Sequence, residues 1–93
     1  MFITNKTVLV TGSTDGIGKQ TAIVLAGQGA RVLVHGRDSQ KVERTLAEIR
    51  QLYPDAQLAG YTADFSSLNA VEKMAEEIKH SETFLHVLVN NAA

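Results

Sequence analysis

Residues 6–18, KTVLVTGSTDGIG, decide the fold of this chain. The segment opens with Val8-Leu9-Val10, a short apolar run between polar residues, and continues through three glycines into a helical pattern. A buried parallel strand typically has such a run of β-branched and other apolar residues. The stretch therefore predicts a strand, a glycine-rich turn and a helix in immediate succession.

The three glycines of the turn are Gly12, Gly16 and Gly18, and each has a physical reason. Gly12 lets the chain leave the strand in a backbone conformation that a Cβ would obstruct. Gly16 leaves a bare backbone where the first helical turn begins, and Gly18 allows the helix to pack closely on its strand. Free N–H groups and the positive end of the helix dipole favour a phosphate at this point. The spacing is G-x-x-x-G-x-G instead of the commoner G-x-G-x-x-G, and an ordinary glycine-rich turn is the alternative interpretation.

Composition limits the classes of function that fit. A length of 93 residues allows one small domain, and a hydrophobic content of 44% is that of a globular chain. A formal net charge of −1 gives no reason to expect nucleic acid or a membrane as partner. There is no cysteine, and the three histidines lack metal-ligand spacing, so we expect no metal. We see no room for a signal peptide and no apolar run of ~20 residues, so we expect a cytoplasmic protein.

The rest of the chain alternates between strands and helices. Apolar runs predict strands at residues 31–35, 57–62 and 85–91, the second of these being weak enough to suggest a sheet edge. The first helix is expected to end near residue 28, the second to be capped by Asp38 or Ser39, and the third by Ser66 or Ser67. Apolar stripes define the later helices, with Val42, Leu46, Ile49 and Tyr53 in the second and Leu68, Val71, Ala75 and Ile78 in the third.

The order βαβαβαβ predicts a parallel α/β sheet, because crossovers between parallel strands are right-handed. The expected strand order is 3-2-1-4, with the first two helices on one face and the third on the other. This is the order of a dinucleotide-binding sheet. We expect residues 1–93 to form a partial Rossmann-type domain, the N-terminal half of a larger doubly wound one.

The end of the second strand bears on the choice of ligand. In sheets of this type an acidic residue at that place often binds the adenosine ribose 2′-hydroxyl and selects NAD. Here the sequence reads His35-Gly36-Arg37-Asp38, and the planar guanidinium of Arg37 suits a 2′-phosphate. This favours NADP(H) over NAD(H). The alternative interpretation makes Arg37 a loop cation and Asp38 a helix cap.

Polar residues also follow the third and fourth strands. Asp64 comes after the third strand in a short loop, where a simple turn residue is the alternative interpretation. Asn90 and Asn91 end the fourth strand. Because side-chain amides compete for backbone hydrogen bonds, such a pair suggests bridges to neighbouring strands or an edge that faces a ligand.

Together these residues resemble the N-terminal part of the short-chain dehydrogenase/reductase family. The resemblance rests on TGSTDGIG at residues 11–18, Asp64 after the third strand and NNA at residues 90–92, in that order. The glycine loop and GARVLVHGRD at residues 29–38 are most similar to NADP(H)-preferring members. The segment DFSSL at residues 64–68 is similar to that of retinol-dehydrogenase-like members.

The resemblance implies roles for residues that contact a nicotinamide dinucleotide. Ser13 and Thr14 would line the adenosine phosphates, and Ile17 would lie against the pyrophosphate. Asp64 would accept a hydrogen bond from the adenine amino group, with Phe65 beside the ring.

Further roles follow from the same resemblance at the end of the fourth strand. Asn90 and the backbone of Ala92 would border the adenine ribose, while Thr11 and Asn91 would brace the sheet. Asp15 departs from the pattern, because some NADP-preferring members carry a cation at that place. The predicted cofactor-binding set is Gly12, Ser13, Thr14, Gly16, Ile17, Gly18, Arg37, Asp64, Phe65, Asn90 and Ala92.

The catalytic residues that the family uses, a Ser, a Tyr-x-x-x-Lys pair and an Asn, have no match here. Tyr53 is followed four positions later by Gln57, and Tyr61 by Phe65. We therefore predict no catalytic residue in the chain and no activity from the chain alone.

The resemblance implies that the parent protein is an oxidoreductase. It would transfer hydride between NADP(H) and a small carbonyl or alcohol substrate, as a homo-oligomer. The alternatives are a complete, non-catalytic nucleotide-binding module or sensor, and a Rossmann-like methyltransferase. The Thr-Gly opening of the loop and the missing acid after the second strand disfavour the methyltransferase.

Overall fold

The first strand lies inside a four-stranded parallel sheet. The computed structural model describes residues 3–91. Its strands are β1 (Thr7–Val10), β2 (Arg31–Gly36), β3 (Leu58–Thr62) and β4 (Val87–Val89), and its helices are α1 (Gly16–Gly27), α2 (Ser39–Leu52) and α3 (Leu68–Ser81). The strands are parallel and follow the order β3-β2-β1-β4. The predicted fold class and strand order are confirmed, and β3 is an edge strand as expected.

The helices cover the two faces of the sheet as predicted. The even-numbered valines of β1 and β2 pack against α1 and α2 on one face. On the other face, Met74 and Ile78 of α3 pack against Leu9, Leu33 and Tyr61. Because alternate side chains of a strand point to opposite faces, a central strand between two helical layers is apolar throughout.

Side-chain caps fix where α2 and α3 begin. The carboxylate of Asp38 accepts hydrogen bonds from the N–H groups of Gln40 at 2.8 Å and Lys41 at 3.4 Å. The hydroxyl of Ser67 accepts one from the N–H of Ala70 at 3.2 Å. Of the alternatives that the sequence left open, Asp38 and Ser67 are therefore the caps.

The apolar stripe predicted for α3 is partly wrong. Leu68 is 72% exposed and Ala75 is also exposed, whereas Met74, which the stripe omitted, is buried together with Ile78. Positions 74 and 75 are both neighbours of position 78 on a helix surface, so periodicity alone could not choose between them. The larger apolar side chain is the one that lies against the sheet.

Tyr53 is not the last core contact of α2. It lies just beyond the helix, is 38% exposed, and its phenol ring lies over the last residue of α1, Gly27. The last buried residue of the stripe is Ile49.

The strand β4 is shorter than predicted, and its pairing is extended by a side chain. The N–H of His86 donates to the carbonyl of Thr7 at 2.9 Å, and Nδ1 of His86 accepts from the N–H of Thr7 at 3.0 Å. Leu88 on the same strand is 56% exposed, and β4 has one strand neighbour within the described residues. It forms the second edge of the sheet.

A two-pronged ion pair joins the start of β2 to the end of α3. The Arg31 guanidinium donates to the two carboxylate oxygens of Glu82 at 2.7 and 2.8 Å. The Glu82 side chain is only 6% exposed, and its hydrogen bond raises the pKa of Arg31. Between residues 3 and 91 no helix has the length and apolar character needed to cross a membrane. Over the same residues no group of three potential metal-binding side chains comes together.

Candidate cofactor-binding site

The loop between β1 and α1 has the backbone conformation that its glycines predict. Gly12 and Gly16 have φ angles of 60° and 57°, in the left-handed region that favours glycine. A Cβ on Gly18 would lie 2.3 Å from the carbonyl oxygen of Gly12, so the missing side chain lets α1 approach β1 closely. A Cβ on Gly16 would meet nothing within 4 Å. The requirement for glycine is therefore steric at position 18 and conformational at position 16.

The first turn of α1 is open to an anion. Asp15 occupies the N-cap position, but its side chain makes no capping hydrogen bond and lies 3.6 Å from the ammonium of Lys41. The N–H groups at the start of α1 are thus left without the acceptor that a capping side chain would provide. With the positive end of the helix dipole at the same place, this geometry suits a phosphate.

A cleft of about 450 Å³ opens at the carboxyl ends of β1, β2 and β3. Gly12 and Thr14 line it from the loop, Arg37 from the end of β2, and Asp64 and Phe65 from the segment after β3. Ligands of open parallel sheets bind at this edge. The structure therefore brings five members of the predicted cofactor-binding set together around one cavity.

The interpretation of Asp64 as a turn residue is confirmed, and its hydrogen bond to adenine stays a prediction. The Oδ1 of Asp64 accepts hydrogen bonds from the N–H and the hydroxyl of Ser66, at 2.9 and 2.8 Å. These bonds, and more weakly the positive charge of Arg37, lower the pKa of Asp64, so the group stays ionised. Because Oδ1 already accepts two hydrogen bonds from Ser66, Oδ2 is the oxygen that could accept one from a ligand.

His35 is the site residue that the sequence analysis missed. It is 2% exposed, and its Nδ1 lies 2.9 Å from the backbone nitrogen of Gly12. An amide N–H can only donate, so Nδ1 accepts and Nε2 carries the proton. Nε2 then donates to the carbonyl of Ala63 at 2.9 Å. Burial lowers the pKa of His35, which agrees with a neutral ring.

The same imidazole supports the wall of the cleft. Its ring stacks on Phe65 with centroids 4.2 Å apart and planes inclined by 20°. The sequence does contain a signal for this role, since His35 is a polar residue in an apolar strand that is expected to be buried. Buried polar atoms need hydrogen-bond partners, so the ring had to be bonded to neighbouring segments. His35 therefore links the glycine loop, the end of β3 and Phe65.

The side chain of Ser13 is held inside the glycine loop, and the predicted contact of Ser13 with the adenosine phosphates stays a prediction. Ser13 is fully buried, and its hydroxyl accepts from the N–H of His35 at 2.9 Å and lies 3.3 Å from the carbonyl oxygen of His35. Its own N–H donates to that carbonyl at 2.8 Å. Ser13 does not line the cleft. Its hydroxyl fastens the glycine loop to the end of β2.

Thr11 and Asn91 brace the sheet as the resemblance implies. The Thr11 N–H donates to the carbonyl of Val89 at 3.0 Å, and the Thr11 hydroxyl accepts from the Asn91 N–H at 2.9 Å. The Asn91 side chain donates to the carbonyl of Gly12 at 3.1 Å. Asn90 lies at the same strand end, with its Oδ1 3.3 Å from the Thr11 hydroxyl.

The other predicted ligand contacts remain predictions. Ile17 is 78% exposed on the first turn of α1, beside the loop. Ala92 lies outside the described residues. The role of Asn90 toward a ribose is likewise a prediction, although the structure places it near the loop.

Comparison with known proteins connects this geometry to a family. The short chain dehydrogenase family model matches residues 6–93. Retinol dehydrogenase 13 of Mus musculus is 38% identical over 91 residues, which are 98% of this chain and 27% of that protein. Retinol dehydrogenase 12 of Homo sapiens is 40% identical over 87 residues, which are 94% of this chain and 28% of that protein.

A solved structure extends the comparison to the backbone. A metagenomic short-chain oxidoreductase in complex with NADP superposes with a TM-score of 0.88 at 29% identity. The match covers 100% of this chain and 41% of that one. The resemblance to retinol-dehydrogenase-like members is confirmed by the sequence relatives. Because the family model spans nearly the whole sequence, this chain belongs to the short chain dehydrogenase family.

Proposed function

We propose that this chain is the NADP(H)-binding, N-terminal part of a longer oxidoreductase. The parent enzyme transfers hydride between the nicotinamide cofactor and a carbonyl or alcohol substrate. The chain spans only 27% of the length of the mouse retinol dehydrogenase, so the activity of the whole protein is inferred from its family. The observation that carries the proposal is the cleft at the ends of β1, β2 and β3.

The lining of the cleft suits the adenosine half of a dinucleotide. The phosphates would be held at the uncapped start of α1, beside Gly12 and Thr14. Phe65 would contact the adenine, and the carboxylate of Asp64 would accept a hydrogen bond from its amino group. Arg37, which lines the cavity at the end of β2, would then contact the ribose side of the cofactor.

The preference for the 2′-phosphate rests on the side chains after β2. Asp38 is the first acidic residue after β2 and could in principle bind a 2′-hydroxyl, but its carboxylate caps α2. Arg37 is exposed and lines the cleft, where a charge-assisted contact with a phosphate is strong. Some NADP-preferring members carry a cation at the place of Asp15. Here the ammonium of Lys41 lies beside Asp15 and offsets its negative charge, so the acid disfavours NADP(H) less. A solved relative in complex with NADP supports the same preference.

The described residues serve to bind and orient the cofactor. When bound, the cofactor supplies or accepts the hydride. We infer that the proton donor for the substrate comes from the rest of the parent enzyme, because the Tyr-x-x-x-Lys pair of the family has no match in this chain. Tyr61 is buried between β3 and α3, and Tyr53 lies over the end of α1.

Family membership does not favour the alternative of a complete nucleotide-binding module or sensor. The homo-oligomer and the cytoplasmic location expected from the sequence stay predictions.

The experiment is a titration of NADPH and NADH against the full-length protein and its variants. Arg37→Ala removes a contact to a charged group worth about 1.5–3 kcal/mol, so NADPH affinity should fall roughly ten- to hundredfold. NADH affinity should hardly change. Asp64→Ala should weaken both cofactors by similar factors, because adenine is common to them.

Arg50→Ala is the matched control, since Arg50 is an exposed arginine in the last turn of α2. It should leave both affinities unchanged. Equal losses of NADPH and NADH binding in Arg37→Ala would make Arg37 a structural residue. A folded wild-type protein that binds neither cofactor would contradict the proposed function itself.

A further inference from the structure

The side chain of His35 contacts two parts of the cleft, the glycine loop and the segment after β3. Toward β1 its Nδ1 accepts from Gly12, whose φ of 60° sets the course of the loop. Toward β3 its Nε2 donates to Ala63, the residue before Asp64. Its ring face supports Phe65. The proposed site has its phosphate end at Gly12 and its adenine end at Phe65, and His35 contacts both.

We propose that His35 is a positioning residue that holds the glycine loop ready for the cofactor only while its imidazole is neutral. This inference rests on the proposed function and adds a regulatory property to the same site. His35 is 2% exposed and forms part of the wall of the cleft, and its effect on affinity comes through Gly12 and Phe65. Below neutral pH, uptake of a proton by the ring weakens binding of the dinucleotide.

The hydrogen bond to Gly12 makes the protonation state matter. An imidazolium carries a hydrogen on both nitrogens, so Nδ1–H would point at the N–H of Gly12. Two donors facing each other at 2.9 Å cannot coexist, and either the loop or the ring must move. The bond from Nε2 to Ala63 survives protonation, because Nε2 donates in both states. Protonation therefore acts selectively on the loop side of the site.

The surroundings of the ring favour the neutral state. Titratable and charged side chains around the cleft are Asp15 from the loop, Arg37 after β2 and Asp64 after β3. Tyr61 of β3 is paired with His35 in the sheet. Lys73 and Glu77 of α3 line a hollow beside Tyr61. The hydrogen bonds of the ring go to backbone groups, and burial lowers the pKa of His35 from its ordinary value of 6.5. The ring is therefore neutral at neutral pH.

The affinity for the cofactor depends on the fraction of molecules in which the glycine loop has its binding conformation. If only a fraction of molecules holds the loop in its binding conformation, the apparent dissociation constant rises by the inverse of that fraction. A protein in which the loop is correctly placed about a tenth of the time binds about tenfold more weakly. The effect requires no direct contact between His35 and the cofactor.

Two amide variants separate the two hydrogen bonds of the ring. His35→Asn places an amide oxygen near the position of Nδ1 and can still accept from Gly12. His35→Gln places an amide nitrogen near the position of Nε2 and can still donate to Ala63. Neither variant titrates, and each also loses the ring that stacks on Phe65. His80→Asn, at a histidine whose side chain is 82% exposed on α3, is the control.

The measurement is the dissociation constant of NADP⁺ for the full-length protein from about pH 7.5 down to the lowest pH at which the protein stays folded, because burial lowers the pKa of His35 below that of a free histidine. At the upper pH, His35→Gln should bind about tenfold more weakly than wild type, and His35→Asn about threefold or less. Toward the lower pH, wild type and His80→Asn should weaken more steeply than His35→Asn. Titration of the 2′-phosphate affects all of these proteins alike and cancels in the comparison.

Thermal unfolding establishes that each variant is folded. Parallel pH profiles for wild type and His35→Asn, or wild-type affinity in His35→Gln, would overturn the inference. An NMR pH titration of the His35 ring and the Gly12 amide tests the same link without any ligand. A proton on Nδ1 at neutral pH, or a Gly12 signal that does not follow the ring, would also overturn it. A folded wild type that does not bind NADP⁺ at any pH contradicts the proposed function, a result distinct from either of these.

Discussion

A single methyl group at Gly18 should destabilise the protein. The Cβ of Gly18→Ala would lie 2.3 Å from the carbonyl oxygen of Gly12 and 2.5 Å from the side-chain nitrogen of Asn91. The first contact is with backbone that the loop holds in place, so α1 or the loop has to shift. The second contact displaces the amide that donates to Gly12.

The expected magnitude combines three terms. Overpacking of a close contact costs about 1–3 kcal/mol. Loss of the hydrogen bond from Asn91 costs about 0.5–1.5 kcal/mol. Alanine recovers about 1 kcal/mol through its higher helix propensity. The free energy of unfolding should therefore fall by about 0.5–3.5 kcal/mol.

The control is the same substitution at the other end of α1. A Cβ on Gly27 would lie 2.7 Å from the hydroxyl of Tyr53, but that group is the tip of a side chain that is 38% exposed. It can rotate away, so Gly27→Ala should change the free energy of unfolding by only about 0.5 kcal/mol in either direction. Urea denaturation of the full-length protein, followed by circular dichroism, compares the two variants.

The test is which of the two variants unfolds at the lower urea concentration. Gly18→Ala should unfold at a lower urea concentration than Gly27→Ala, and it should also bind NADP⁺ more weakly because Gly12 is displaced. A Gly18→Ala protein as stable as Gly27→Ala would refute the argument that α1 requires a bare backbone at this point.

Two further predictions concern the ion pair and catalysis. Arg31→Met removes the partner of the Glu82 carboxylate, whose side chain is 6% exposed, and this should cost about 1–3 kcal/mol of stability. Lys19→Met removes the partner of Glu48, which is 51% exposed, and should cost about 0–1 kcal/mol. Equal shifts of their urea midpoints would contradict the distinction. The 93-residue chain assayed alone with NADPH and carbonyl substrates should show no sustained cofactor oxidation, while the full-length protein should. Turnover by the chain alone that disappears in Gly16→Val would reveal an active site within it.

Much of the sheet could be predicted because its determinants are local. The apolar runs and the glycine turn define each unit, and the handedness of crossovers then orders the strands. Arg37 and Asp64 could be placed at the cleft for the same reason, since residues that follow parallel strands meet at one edge. Their positions depend on the order of strands and not on detailed packing.

The links within the site could not be predicted, because they depend on register. Val10 is paired with Val34, and this brings Ser13 and His35 together at the adjacent strand ends. A one-residue slip would move the histidine to the other face of the sheet. The sequence shows a polar residue in a buried strand, but it does not show which backbone groups will satisfy it. The choice between Met74 and Ala75 in α3 failed for a related reason, since helix rotation is set by packing.

The order in which the chain is synthesised has a consequence for the glycine loop. Gly12 is held on its N–H side by His35 and on its carbonyl side by Asn91. His35 leaves the ribosome before Asn91, because it precedes Asn91 in the sequence, and Asn91 follows β4, the strand that pairs with β1. Pairing across so long a loop is entropically costly and tends to be slow. A nascent chain can therefore fasten the loop to β2 first, and the loop acquires its second anchor only when β4 has docked.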